Sequence, residues 1–250
     1  RQDGGGGWRK RMNGRLLIPI ALVPLLLATA ACDRHKAPSD KLAQTASELV
    51  GAKKPEPAPL AEGPFAPRDT CGELPGGDDF RARLADAVMA RDANAFVALA
   101  AEDVKLDFGG GSGRAELKRR LTATDGMLWD ELDRLLDLGC AANQQGGITI
   151  PWYFEQHIDK VDQARGMLVT GEKVPLRAAP DAKAKPLETL SWDVVTLTAL
   201  KPDDPFQQVT TTGGTKGYIA TDKLRSLLDY RLLASHRNGK WSIVSLVAGD

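Results

Sequence analysis

From residue 166 onward, apolar and polar residues alternate with a period of two, and turn-forming residues break the alternation at close intervals. That period puts successive side chains on opposite faces of an extended backbone, so this third of the chain is committed to strands with one buried face. The runs fall at Val169 and at residues 174–180, 185–190, 194–200, 207–211 and 217–220. Several short strands at such spacing predict a small barrel. Residues 230–237 and 240–247 then alternate around Asn238-Gly239, the pair that suits the positive φ angles of a type I′ hairpin turn. Leu232, Ala234, Trp241, Ile243 and Val247 would bury one face of this hairpin, which is expected to extend or pack on the barrel sheet.

The middle of the chain has a helical period instead. Phe80, Leu84 and Val88 recur at a spacing near four, and Asp92 stands where an N-cap for a second helix belongs. Residues 104–108 (VKLDF) predict a short strand, and residues 114–121 and 127–138 two further helices, the last with Leu128, Leu132, Leu135 and Leu136 on one face and a stop at Gly139. Residues 69–157 therefore read as a mainly helical domain. The glycine-rich stretch 109–113 runs from a strand into a helix but lacks both the Gly-Lys-Ser/Thr ending of a phosphate loop and the dinucleotide glycine spacing. It reads as a strand-to-helix turn with Ser112 near the cap. The aromatic cluster at residues 152–154 reads as a core strand, with a ligand groove as the alternative.

At the other end, Arg9, Lys10, Arg11 and Arg15 precede an apolar run over residues 16–31, followed at once by Cys32. A positive flank, a short apolar stretch and small residues before a break are the parts of a secretory signal, with Met12 a plausible true start. The run is shorter than the ~20 residues of a spanning helix, and Pro19 and Pro24 interrupt it, which leaves a retained anchor as the weaker reading. Residues 32–68 hold prolines at 38, 55, 57, 59, 64 and 67, a composition for an extended tether. Without residues 1–31 the chain carries 28 basic and 32 acidic side chains, no electrostatic footprint for nucleic acid.

Cys71 and Cys140 are the other two cysteines. In an oxidising compartment two thiols commonly pair, and such a bridge would close a loop of about 70 residues, worth ~4 kcal/mol. Two separate buried thiols are the alternative. A cysteine nucleophile needs a base beside it, and nothing in the sequence places His35, His157 or His236 there.

Two resemblances add to this reading. Thr29-Ala30-Ala31-Cys32 resembles the lipobox of bacterial lipoproteins, with Thr29 where the family prefers Leu. The resemblance implies lipid attachment at Cys32, a membrane partner and an envelope location facing the periplasm, and Asp33 resembles an inner-membrane retention signal. Ordinary signal-peptidase cleavage is the competing reading. VPLRAAPDAKAKPLETL, residues 193–197, residues 206–209 and Gly217-Tyr218-Ile219 with Leu224 together resemble a bacterial SH3-like domain over about residues 164–228. Pro175, Phe206 and Tyr218 depart from the family's Asn, Trp and Trp.

The expected fold is thus α+β: a signal segment (1–31), a tether (32–68), a small helical domain (69–157), and an SH3-like β-barrel with an added C-terminal hairpin (158–250). The SH3-like resemblance implies a non-catalytic envelope protein that binds a peptidoglycan peptide or an envelope protein. The candidate ligand contacts are Phe206, Tyr218, Trp192 and Trp241, with no cofactor or metal. The alternatives are a wall hydrolase, for which the sequence supplies no nucleophile–base or metal-ligand pattern, and a purely structural protein.

Overall fold

A computed structural model of the chain describes residues 60–249. The helical signals before residue 140 give four short helices: α1 (Gly77–Met89), α2 (Ala93–Ala98), α3 (Arg114–Leu121) and α4 (Met127–Leu136). Phe80, Leu84 and Val88 are buried on one face of α1, as their spacing predicts. Asp92 caps α2, accepting hydrogen bonds from the backbone N–H of Asn94 and Ala95 at 2.9 and 3.0 Å. Gly139, three residues past α4, takes a left-handed φ of 78°.

These helices do not form a domain of their own. They pack on a five-stranded sheet of order β1-β12-β11-β3-β2, made of β1 (Ala100–Lys105), β2 (Ala141–Ala142), β3 (Ile148–Ile150), β11 (Arg231–Arg237) and β12 (Lys240–Val247). The C-terminal hairpin supplies the two central strands. Its turn has the predicted form, with Asn238 and Gly239 at φ 52° and 76°. Its face of Leu232, Ala234, Trp241, Ile243 and Val247 is buried as expected. The partners differ from the expectation: β12 lies parallel to β1, with Ala100 opposite Ile243, and β11 lies antiparallel to β3, with Leu232 opposite Ile150. Phe80, Phe96, Leu117, Trp129, Leu132 and Leu135 fill the space between helices and sheet. Pro151 ends β3, and Trp152–Glu155 turns as a 3-10 helix where the sequence suggested a continuing strand.

Residues 166–226 form a second, seven-stranded antiparallel sheet of order β10-β4-β7-β8-β9-β5-β6. Its strands are β4 (Gly166–Val169), β5 (Val174–Arg177), β6 (Pro186–Leu190), β7 (Val194–Leu197), β8 (Phe206–Thr211), β9 (Lys216–Ala220) and β10 (Leu224–Ser226). The strands fall where the alternation places them, but the barrel does not close. β6 and β10 are the two edges and do not pair with each other. Pro186 opens β6, and a strand-initial proline, lacking an N–H, suits an edge. β10 directs Arg225 to the Glu131 carboxylate of α4 instead of pairing with β6. The expected helical domain followed by an SH3-like barrel with an appended hairpin is therefore corrected. The chain is a mostly β, α+β protein in which one open sheet is inserted between strands of another.

A third apolar cluster lies where the two sheets meet. Leu138 and Tyr153 from the first part pack with Leu168, Val194 and Leu227 from the second, and Trp152 and Trp192 lie against them.

Candidate functional site

The junction of the two sheets holds the most concentrated polar chemistry among the described residues. α4 carries Glu131 on its apolar stripe, three residues after Leu128 and four before Leu135, so the side chain is aimed inward and the residue is 8% exposed. β10 turns Arg225 to the same place, where it is 6% exposed. The Arg225 Nη1 lies 2.6 Å from Glu131 Oε1 and 3.3 Å from Asp229 Oδ2. Arg225 also donates through Nη2 to the Tyr230 carbonyl at 3.0 Å and through Nε to the Tyr153 hydroxyl at 3.3 Å. Arg134, one turn along α4, donates to the other Glu131 oxygen at 2.8 Å.

Burial works against the Arg225 charge, but Tyr153, Asp229 and Glu131 more than offset it, so its pKa stands above the ordinary value. Burial pushes the Tyr153 hydroxyl upward, with the Arg225 charge opposing. Two guanidinium groups and the carboxylates of Glu131 and Asp229 thus form a charge-balanced block at this point, in which Arg134 hydrogen-bonds Glu131 Oε2 while Glu131 Oε1 is ion-paired with Arg225 but has no hydrogen-bond partner.

Two hollows open on either side of this block and share Glu131, Arg134 and Asp229 as their common wall. One, of about 320 Å³, is bounded by Asp137 and Leu138 at the end of α4, Thr170, Trp192, Asp222 and Leu224. The other, of about 390 Å³, lies toward Arg119, Met127, Leu128 and Tyr230. Together they make a groove lined mainly by charged side chains, with apolar patches at Leu138, Trp192 and Leu224 in the first and Met127 and Leu128 in the second.

The structure separates the four aromatic residues singled out from the sequence. Trp192, with a left-handed φ of 45°, lies in the groove wall. Phe206 and Tyr218 lie on the outward face of β8 and β9, Phe206 opposite Ala220 and Gln208 opposite Tyr218, while Gln207, Val209 and Ile219 point into the core. Trp241 is a core residue, stacked on Phe80 at 6.0 Å between ring centroids and donating its indole N–H to the Pro75 carbonyl at 2.9 Å. Cys71 and Cys140 form the expected disulfide. Cys32 and Asp33 lie outside the described residues.

Two other motifs resolve into local structure. In the glycine-rich turn, Asp107 accepts hydrogen bonds from the Gly109 and Gly111 N–H groups at 2.8 and 2.7 Å and pairs with Arg120. An internal carboxylate thus occupies the amides that an anion would use. Among the described residues, Asp69, Cys71 and Cys140 approach as a metal triad would, but the disulfide removes both thiolates.

Arg225 and Asp229 were not among the residues singled out from the sequence; Tyr153 was, within the aromatic cluster, and Glu131 reads in the sequence as part of a solvated face, which its 8% exposure corrects. A signal was present: Glu131 falls on the apolar phase of a helix, and Arg225 on the inward phase of a short strand. A charge on a buried phase demands a partner, but the sequence does not reveal that each is the other's.

No family model matches the chain, and no curated protein matches it. Among solved structures, it is similar to a protein of unknown function with a cystatin-like fold from Nostoc punctiforme, at 10% identity over 69% of this chain and 86% of that one, with a TM-score of 0.22. An NTF2-like protein with a cystatin-like fold from Novosphingobium aromaticivorans aligns at 13% identity over 68% and 77%, with a TM-score of 0.25. A putative calcium/calmodulin dependent protein kinase II association domain from Xanthomonas campestris aligns at 14% over 76% and 93%, with a TM-score of 0.24. Superpositions this loose carry no argument about function. The open strand order, with β6 and β10 left as edges, overturns the SH3-like barrel, and none of the comparisons supports the lipoprotein resemblance.

Proposed function

We propose that the chain is a non-catalytic binding protein of an oxidising, extracytoplasmic compartment, and that its ligand is a short charged peptide of the cell wall held in the groove between α4 and β10. The groove carries this reading: two adjoining hollows of about 320 and 390 Å³ share a rigid, charge-neutral wall and offer both charges and apolar patches along their length. Peptides present the same mixture, and a preformed wall spares the ordering cost of binding. The compartment is supported by the Cys71–Cys140 disulfide, since such bonds persist where thiols are not kept reduced. Binding is favoured over catalysis because the disulfide occupies both cysteines among the described residues and neither His157 nor His236 lines the groove.

The test is equilibrium binding of the purified chain to a synthetic stem peptide of sequence Ala-γ-Glu-Lys-Ala-Ala. Saturable binding abolished by Thr170→Arg, which places a long side chain in the first hollow, is the expected result. Binding that Thr170→Arg leaves intact contradicts the site, and no binding contradicts the ligand class.

A further inference from the structure

The face of the five-stranded sheet turned away from the helices buries a cation that has no acidic partner among the described residues. Leu232 and Ala234 of β11 point into the helix-packed core, so Arg231 stands on the opposite face. Its guanidinium lies against the rings of Phe154 and Phe108, 4.7 and 5.6 Å from their centroids, and the residue is 8% exposed. The ring faces attract its charge but offer no hydrogen-bond acceptor. Nη1 donates to the Gly249 carbonyl at 2.8 Å, and among the described residues Nε and Nη2 have no acceptor. Two parallel N–H groups on one guanidinium edge are the fork that grips an oxyanion.

A second cation stands beside the first. Lys105 Nζ lies 3.9 Å from the centroid of the same Phe108 ring, and it too forms no ion pair among the described residues. The two carboxylates that adjoin these aromatics in the chain are engaged elsewhere. Asp107 is held by Gly109, Gly111 and Arg120, and Glu155 accepts from the Thr149 hydroxyl at 2.7 Å. Phe108 and Phe154 remain 46% and 38% exposed, which leaves aromatic surface uncovered next to both cations.

We infer that Arg231 and Lys105 hold the phosphate of a monoester whose apolar body lies on Phe108 and Phe154. A buried charge is costly without a partner, and an oxyanion at the free edge of Arg231 supplies one. A phosphate monoester carries nearly two negative charges at neutral pH, enough for both cations, whereas a carboxylate carries one. The exposed rings give the ester group an apolar surface to cover. The site shares no lining residue with the groove between α4 and β10 and does not depend on it.

The experiment is NMR titration of the full chain with phenyl phosphate, inorganic phosphate and phenol. Phenyl phosphate should bind saturably, with amide shifts at Lys105, Phe108, Phe154 and Arg231, and about tenfold tighter than inorganic phosphate through its ring contact. Phenol, which lacks the anion, should leave those amides unmoved. Lys105→Gln, at an exposed position, should weaken phenyl phosphate about tenfold, and Arg231→Lys, which keeps the charge but loses the fork, by at least as much. Phosphatidylcholine vesicles containing phosphatidic acid present the same group on a lipid. Binding to them that phenyl phosphate displaces supports the site with a membrane source, and binding of phenyl phosphate alone supports it with a soluble one. Failure of phenyl phosphate and of the vesicles to bind overturns the inference, as does binding that Lys105→Gln leaves unchanged. A chain lacking Asp250 is titrated alongside: binding that appears only there means that the chain's own terminal carboxylate fills the fork, and overturns it too. The ligand comparisons and Lys105→Gln keep the test decisive if Arg231→Lys fails to fold.

Discussion

Truncating Arg225 tests how the two sheets are held together. In the native protein this side chain is ion-paired with Glu131 Oε1 and Asp229 Oδ2 and hydrogen-bonded to the Tyr230 carbonyl and the Tyr153 hydroxyl. Arg225→Ala leaves Glu131, itself 8% exposed, with only Arg134 as a charged partner, and strips the donor from the Tyr230 carbonyl. Removing one member of a buried ion pair costs about 3–5 kcal/mol, chiefly because the survivor stays buried and uncompensated. Urea unfolding at neutral pH, followed by tryptophan fluorescence, should give a loss of that size. Replacing the pair together, Arg225→Met with Glu131→Leu, should restore part of it, since the buried Glu131 charge is no longer stranded while Asp229, Arg134 and the Tyr230 carbonyl still lose a partner. A loss below about 1 kcal/mol for Arg225→Ala would refute the reasoning, because surface pairs are worth that much or less.

Three other outcomes follow from the same structure. Hydrogen bonds from Arg119, then Arg120, hold the Glu116 carboxyl down from 4.5 to about 2. Its contribution is present above pH 4.5 and is lost as pH falls toward 2, so Glu116→Gln should flatten the stability profile in that window, measured as the urea midpoint against pH. Reducing the Cys71–Cys140 bridge, whose cysteines are 69 residues apart, should lower the unfolding free energy by about 4 kcal/mol in the loop-entropy model, read from denaturation with and without reductant. Trp241→Ala should cost about 3–5 kcal/mol by emptying the space against Phe80, whereas Phe206→Ala and Tyr218→Ala on the outward face should cost about 1 kcal/mol or less in the same assay.

Legibility in the sequence followed the range of the physics. Signals that act over a few residues were readable: the Asp92 cap, the Gly139 stop, the Asn238-Gly239 turn, and the alternation that locates β4 to β9. The choice of partner strand was not. The face of the hairpin was predicted correctly, but burying Leu232 and Ile243 is equally satisfying against a barrel or against Ile150 and the helices. Only the closing of long loops decides between them, and loop closure leaves no local mark. The same reason hid the site. Trp192 and Trp241 are both candidate ligand contacts in the sequence, yet one lines the groove and the other is sealed beneath α1. Glu131 and Arg225 each violate the apolar phase of their element, but their meeting depends on how the inserted sheet docks. The SH3-like resemblance over residues 164–228 tracked strand spacing, and spacing alone does not determine whether the first and last strands of a sheet join.

The groove between α4 and β10 is the central claim, and amide chemical-shift mapping of the full chain with Ala-γ-Glu-Lys-Ala-Ala tests it most directly. The account predicts saturable shifts clustered on Asp137, Leu138, Thr170, Trp192 with its indole N–H, and Leu224, residues from distant parts of the sequence that only this fold assembles. Shifts confined to the outward face of Phe206 and Tyr218, or none at saturating peptide, would contradict it.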